Sequence, residues 1–142
     1  MTLNFSDKSN YLMGMLVMIG KDRNIDNSNE KMIRLIAGEL GFNHYFVDQS
    51  IEEIKEHEYI IEGPPEFSNR EIAEAFIKDA IRLAFSDGAL HLYEVQWLLT
   101  IASKNKLPGQ WFLLEIEYFL KNNTHTREDS FEIQKYIEPV FH

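Results

Sequence analysis

The chain has 142 residues, and its 14 Lys and Arg against 23 Asp and Glu give a formal net charge of −9 at pH 7. This length suits one domain, because single hydrophobic cores usually serve about 100–150 residues. The acidic excess disfavours nucleic acids and anionic membrane surfaces, since binding to either depends on Lys and Arg. The absence of cysteine excludes disulfides, thiolate catalysis and Cys-type zinc sites.

The apolar stretch from Leu12 to Ile19 is the closest approach to a membrane or targeting segment near the N-terminus. It is much shorter than the ~20 residues that cross a bilayer. One acid and one base precede it, which is not the charge pattern of a signal peptide. We therefore predict a cytoplasmic protein without a membrane span.

Apolar residues at helical spacing predict three helices in the first half of the chain. The first has N-cap candidates at residues 5–7 and ends near Gly20. The second extends from Ser28 to Leu40, and Gly41 can take the left-handed conformation that ends it. Asn43 is a suitable cap for the third helix.

Residues 57–67 interrupt this pattern and connect the two halves. Gly63-Pro64-Pro65 cannot lie inside a helix, because proline lacks the backbone N–H. Ser68 and Glu71 have the spacing of a capping box, which predicts a long helix from there to about Ser86.

Further helices are predicted over residues 92–104 and 108–121, with Pro108 at the first helical position of the latter. Residues 128–138 fit a short helix, but their alternation of apolar and polar side chains also fits a strand. The sequence leaves both assignments open.

An internal repeat relates the two halves. When the chain is shifted by 65 residues, apolar positions match without a gap. The matched pairs include Tyr11 with Phe76, Leu16 with Ile81, Ile36 with Ile101, Ala37 with Ala102, and Phe46 with Trp111. Any two amphipathic helices align to some degree, but a chance register would rarely superpose Asp22 on Asp87 as well.

Each repeat unit, residues 8–56 and 73–121, is too small to bury its own apolar face. The sequence therefore predicts an all-α bundle built from two pseudo-symmetric helical repeats with a C-terminal extension at 122–142. A pseudo-twofold rotation should place Phe46 and Trp111 in equivalent positions. The pairs Ile36-Ala37 and Ile101-Ala102 should be buried.

The turn of the second unit has the most distinctive local pattern. Asp87-Gly88-Ala89-Leu90 is followed by Glu94 and then by an apolar helix. Within residues 76–107 this pattern resembles the signature of the TerB-like family of tellurite-resistance and related proteins. The chain departs from that signature at His91, where the family has Ser or Thr. The first unit departs further, because it has Arg23 in place of Gly and Asn29 in place of Glu.

The resemblance implies an all-helical bundle of about seven helices, in which acidic residues of the helix turns gather into a divalent-metal site. Residue by residue, Asp87 and Glu94 match the signature, and Asp22 matches through the repeat. Asp26 lies in the same first turn, residues 22–30, where oxygen side chains alternate as in a calcium loop. The predicted ligands are Asp87, Glu94, Asp22 and Asp26, with calcium or magnesium favoured over zinc.

Capping chemistry explains the same residues without a metal. Asp87 can accept backbone N–H groups in its turn, Asp26 can be an N-cap, and Glu94 can complement the helix dipole. A true EF-hand is also disfavoured, because Asn27 and Ile33 stand where that loop needs Gly and Glu.

Catalytic patterns are missing from the sequence. It contains no His-Glu-x-x-His, no Gly-rich phosphate loop and no Gly-x-Ser-x-Gly. We therefore expect no catalytic residues and a non-enzymatic, stress-related, metal-binding module of the TerB-like type with a protein partner. The alternative is a metal-independent adaptor whose acidic surface binds a basic protein. A hydrolytic metal enzyme is the least supported hypothesis, because no base or nucleophile can be named.

Overall fold

The computed structural model describes residues 3–21, 27–56, 63–88, 90–122 and 131–137. All regular structure in these ranges is helical, so the all-α prediction is confirmed. The α-helices of the described ranges are α1 (Phe5–Lys21), α2 (Asn27–Leu40), α3 (His44–Lys55), α4 (Arg70–Ala84), α5 (Leu92–Lys104) and α6 (Gly109–Lys121). Two 3₁₀ helices, Phe85–Asp87 and Glu132–Tyr136, complete this part of the chain.

The C-terminal region is helical rather than extended. The part of residues 128–138 that is described forms the 3₁₀ helix Glu132–Tyr136, so the short helix is the correct alternative, although it is not an α-helix. Its first two amides, of Glu132 and Ile133, donate to the Asp79 side chain. The described ranges therefore contain six α-helices rather than the predicted seven.

Two helix starts are capped by residues that the sequence analysis did not select. Asn4, rather than residues 5–7, caps α1 by accepting the N–H of Asp7 at 2.7 Å. Asn69, rather than Ser68, caps α4 and accepts the N–H of Ile72 at 2.9 Å. Ser68 instead donates its hydroxyl to the Asp7 carboxylate at 2.6 Å. A tertiary contact thus takes the hydroxyl that the local pattern assigns to a cap.

Other predicted caps are confirmed. Asn43 accepts the N–H of Phe46 at 3.0 Å at the start of α3. Gly41 and Gly88 have φ angles of +91° and +90°, the left-handed conformation that glycine adopts without strain. Pro108 is the N-cap of α6, whereas the sequence analysis places it at the first helical position.

The helix boundaries repeat with the spacing of the sequence pattern. Helices α1, α2 and α3 begin at residues 5, 27 and 44, and α4, α5 and α6 begin 65 residues later, at 70, 92 and 109. The turn after α2 also recurs after α5, because Lys106 has a positive φ of 62° at the position that matches Gly41. The rotation that would superpose the two halves stays a prediction.

Helices α1 and α4 lie at the centre of the bundle. Helix α1 packs against α2, α3, α4 and α5, and α4 packs against α1, α2, α5 and α6. A Cβ atom at Gly14 would lie 2.7 Å from Cζ of Phe76, so α1 must have glycine where it faces that ring. Ile36, Ala37, Ile101 and Ala102 are fully buried, as the sequence predicts.

Two polar side chains fix the connection between the halves. The buried Asp7 carboxylate accepts the N–H of Ser68 at 2.9 Å in addition to its hydroxyl. Asn105 accepts the N–H of Phe67 at 2.8 Å and donates to the carbonyl of Pro65 at 3.0 Å. These contacts satisfy backbone groups within residues 63–69, the described part of the connection, which lies outside the helices. Within the described ranges, no helix is both long and apolar enough to cross a membrane.

We expect Ala102→Glu to lower the free energy of unfolding by roughly 3 kcal/mol or more, because it places an unpaired charge in the core. Ser103→Glu is the matched control, because Ser103 is exposed one residue further along α5. Urea unfolding followed by circular dichroism measures both variants. Equal stability of the two variants would contradict the burial of Ala102.

Candidate functional site

Glu94 is a predicted metal ligand whose side chain the structure describes. It is buried in the first turn of α5, and its Oε1 accepts the N–H of His91 at 3.0 Å. A glutamate that accepts the N-cap amide from this position performs one half of a capping box. Glu94 therefore has a structural contact that needs no metal.

The other predicted ligands are not placed well enough to be compared with it. Asp22 and Asp26 lie outside the described residues, and Asp87 is described through its backbone alone. Within the residues that the structure describes, no three His, Asp or Glu side chains are grouped as a metal ion requires. The cluster of Asp22, Asp26, Asp87 and Glu94 therefore stays a prediction.

A buried asparagine connects the regions of the two turns. Asn29 lies in the first turn of α2, three residues after Asp26, at the repeat position of Glu94. Its Nδ2 donates to Oγ of Ser86 at 2.8 Å, and Ser86 directly precedes Asp87. The start of α2 therefore packs against the turn that ends α4.

Asp79, a residue that the sequence analysis did not select, has a buried carboxylate that accepts three hydrogen bonds. Its Oδ2 accepts the hydroxyl of Tyr11 at 2.6 Å and the N–H of Ile133 at 3.1 Å. Its Oδ1 accepts the N–H of Glu132 at 2.7 Å. The signal in the sequence was an acid on the apolar face of α4, where Phe76 and its neighbours are buried.

The environment of Asp79 favours its protonated form. Burial raises the pKa of Asp79 to about 7, and the three hydrogen bonds to the carboxylate only partly oppose this effect. Burial and the nearby Asp79 charge raise the pKa of Tyr11 well above its ordinary value, so Tyr11 stays a hydrogen-bond donor. Tyr11 therefore donates the hydrogen bond in this buried pair, and Asp79 is the group whose charge changes near neutral pH.

Helix α6 exposes a cluster of large apolar side chains. Leu113, Leu114, Tyr118 and Leu120 are 60%, 56%, 62% and 49% exposed, and we call these four residues the α6 outer face. An ion pair of 2.9 Å between Glu117 and Lys121 lies on the same side of the helix. Single exposed leucines are common, but several on one helix face are typical of an interaction site.

Helix α3 has polar residues at the positions that match this apolar surface. It begins 65 residues before α6, so its residues provide a position-by-position comparison. The residues of α3 that match the α6 outer face are all polar and exposed: Asp48, Gln49, Glu53 and Lys55. The same helix position in the first unit is therefore filled with polar side chains, and the apolar ones of α6 need another explanation.

Comparison with protein-family models, with curated proteins and with solved structures gives no match for this chain. The geometry of the described residues therefore supports the function on its own, and the TerB-like resemblance stays a proposal.

Asp79 should make the stability of the fold depend on pH near neutrality. Its folded pKa of about 7 exceeds the value of about 4 for an exposed aspartate, so the folded protein binds the extra proton between these values. The contribution of Asp79 to the free energy of unfolding is fully present below about pH 4 and is lost as the pH rises through 7. We expect the melting temperature to fall by several degrees from pH 5 to pH 8.

Asp79→Asn provides the control, because asparagine keeps the shape of the side chain but does not titrate. The variant should have a flatter dependence of melting temperature on pH in the same window, whatever its absolute stability. Parallel pH profiles for the two proteins would show that Asp79 does not titrate there.

Proposed function

We propose that this protein is a non-enzymatic helical binding module that holds a basic amphipathic helix of a protein partner on the α6 outer face. The observation that supports this proposal is the exposure of Leu113, Leu114, Tyr118 and Leu120 at positions where α3 has polar residues. A face of this kind matches the recognition mode in which an apolar helix stripe docks onto an apolar surface.

The chemistry of the face favours a protein ligand. Complete burial of a leucine side chain contributes about 1.5–3 kcal/mol, so covering several half-exposed leucines is a substantial driving force. Tyr118 adds an aromatic ring with a hydroxyl at its tip, and tyrosine is enriched at protein interfaces. Glu117 and Lys121 supply charged groups within reach of a partner's polar flank.

The charge of the chain favours a basic partner over a second copy of the protein. Two copies that each have a net charge of −9 repel one another, whereas a Lys- and Arg-rich segment is attracted. Such attraction raises the association rate and selects among partners, while the apolar contacts supply most of the affinity. This proposal corresponds to the metal-independent adaptor that the sequence suggests.

The test uses a synthetic helical peptide of about 18 residues with leucines along one face and lysines elsewhere. Fluorescence anisotropy measures its binding to the parent chain and to the double variant Leu114→Gln with Tyr118→Glu, which takes its residues from the matched positions of α3. We expect the double variant to bind at least tenfold more weakly. Leu35→Gln is the control, because Leu35 is 52% exposed on α2.

Two results would contradict this proposal. If the α6 variant bound the peptide as tightly as Leu35→Gln did, the attraction would be due to charge alone. Sedimentation could instead reveal a dimer of the parent chain that the α6 variant dissociates. The occupant of the face would then be a second copy rather than a basic partner.

We propose as a second candidate the TerB-like, stress-related function with a divalent metal at Asp22, Asp26, Asp87 and Glu94. It is supported by the contact of Asn29 with Ser86, which brings the start of α2 against the second turn. The 65-residue spacing of the helix starts supports the pseudo-symmetric arrangement that the resemblance implies. Because Glu94 already caps α5, this candidate depends mainly on the three aspartates.

Thermal unfolding with calcium, magnesium, manganese or zinc tests the second candidate. An ion at ~100 times its dissociation constant should stabilise the fold by about 2.7 kcal/mol, and Asp87→Asn with Glu94→Gln should abolish this response. If Asp87 and Glu94 only cap helices, no ion should change the stability of the fold. The double variant should then lose ~1 kcal/mol of its free energy of unfolding. That second pattern would leave the metal-independent module as the function.

A further inference from the structure

Residues 131–137, which we call the C-terminal segment, bind to the bundle through a short 3₁₀ helix. Phe131 and Ile133 are buried, and the segment packs mainly against α4. These two side chains are two residues apart and point into the same core as Tyr11 and Phe76. The segment thus has two apolar anchors within three residues.

The backbone of the segment is recognised as well as its side chains. The successive amides of Glu132 and Ile133 donate to the two oxygens of the buried Asp79 carboxylate. Tyr11 donates to the same carboxylate from α1 and so fixes its orientation. A single acidic side chain therefore captures two consecutive peptide groups, which leaves neither the carboxylate nor the amides unsatisfied.

Two further contacts come from the helices around the segment. The guanidinium of Arg82 lies 4.7 Å from the ring centre of Phe131, which is the distance of a cation–π contact. The Gln134 side-chain amide donates to Oε1 of Glu39 at 3.0 Å. Helices α1, α2 and α4 together present a site with two carboxylates, one phenol and one guanidinium.

This arrangement resembles a receptor and its ligand more than a uniform core. The repeat does not call for an acid at this point, because the position of α1 that matches Asp79 is Gly14. A buried carboxylate without hydrogen-bond donors is strongly unfavourable, and both amide donors of Asp79 come from the C-terminal segment. Eight residues separate Asn122 from Phe131, enough chain for the segment to leave α4 without unwinding α6.

We propose that the C-terminal segment is an intramolecular peptide ligand, and that its site also binds the same segment of a second copy of the chain, because these short-range contacts outweigh a net repulsion that salt screens. The ligand class is a short peptide with an aromatic and a branched aliphatic side chain two residues apart, and with free amides at the second and third residues. This site lies on α1, α2 and α4, so the inference does not depend on the function proposed for α6.

The test uses the full chain with Phe131→Ala and Ile133→Ala, which remove the two anchors of the C-terminal segment from the site. A labelled peptide of residues 129–138 is then added to this variant. Fluorescence anisotropy should show saturable binding to this variant. Binding to the parent chain should be at least tenfold weaker, because its own C-terminal segment competes with the added peptide. A tethered segment has an effective concentration of about millimolar. A control peptide with alanine at both anchor positions should not bind either protein.

Absence of binding to a vacated variant that is helical and unfolds cooperatively would overturn the proposal. A second measurement on the parent chain decides the matter if that variant does not fold. Hydrogen exchange at the amides of Glu132 and Ile133 should be at least twofold faster with ~1 mM unlabelled peptide than without it, while α4 amides such as Ile77 stay unchanged. Exchange rates that the peptide does not alter would show that the segment is a fixed part of the core.

Discussion

The burial of α1 and α4 at the centre of the bundle is the constraint on which the rest of the structure depends. Helices α1 and α4 pack against one another, and each also contacts three further α-helices. The contact between Gly14 and the Phe76 ring shows how closely these helices approach. Helices α3 and α6 then lie at the periphery, where one side of each faces solvent. The positions of α3 that match the α6 outer face are polar, although α3 exposes Tyr45 and Phe46 near its start.

Buried acids join the parts of the chain that lie outside the α-helices to this helical centre. Asp7 holds Ser68 in the connection between the halves, and Asp79 holds the C-terminal segment. Each carboxylate accepts backbone N–H groups that would otherwise lack a partner away from water. Specific polar contacts therefore fix the linker and the C-terminal segment, together with apolar anchors such as Phe131 and Ile133, whereas the helices pack mainly through apolar side chains. Only the polar contacts respond to pH near neutrality, through Asp79.

Local patterns predicted the helices well, because amphipathic periodicity and strong caps act over a few residues. Asn43 and Gly41 acted as predicted, since their roles depend on neighbouring residues alone. Ser68 did not, because its hydroxyl is taken by Asp7 from a distance of 61 residues along the chain. Asp79 could not be recognised as a site, because both amides that it binds belong to a remote segment. Apolar periodicity also could not reveal the outer face of α6, because it does not show which apolar side chains stay exposed.

The central claim is that the apolar outer face of α6 exists for binding and not for folding. The most direct measurement is the free energy of unfolding, in urea, of a variant in which α6 takes the polar residues of α3: Leu113→Asp, Leu114→Gln and Tyr118→Glu. Because exposed positions tolerate substitution, we expect its stability to lie within about 2 kcal/mol of the parent chain. A loss of stability as large as that caused by a charge in the core would show that these side chains support the fold, and would contradict the claim.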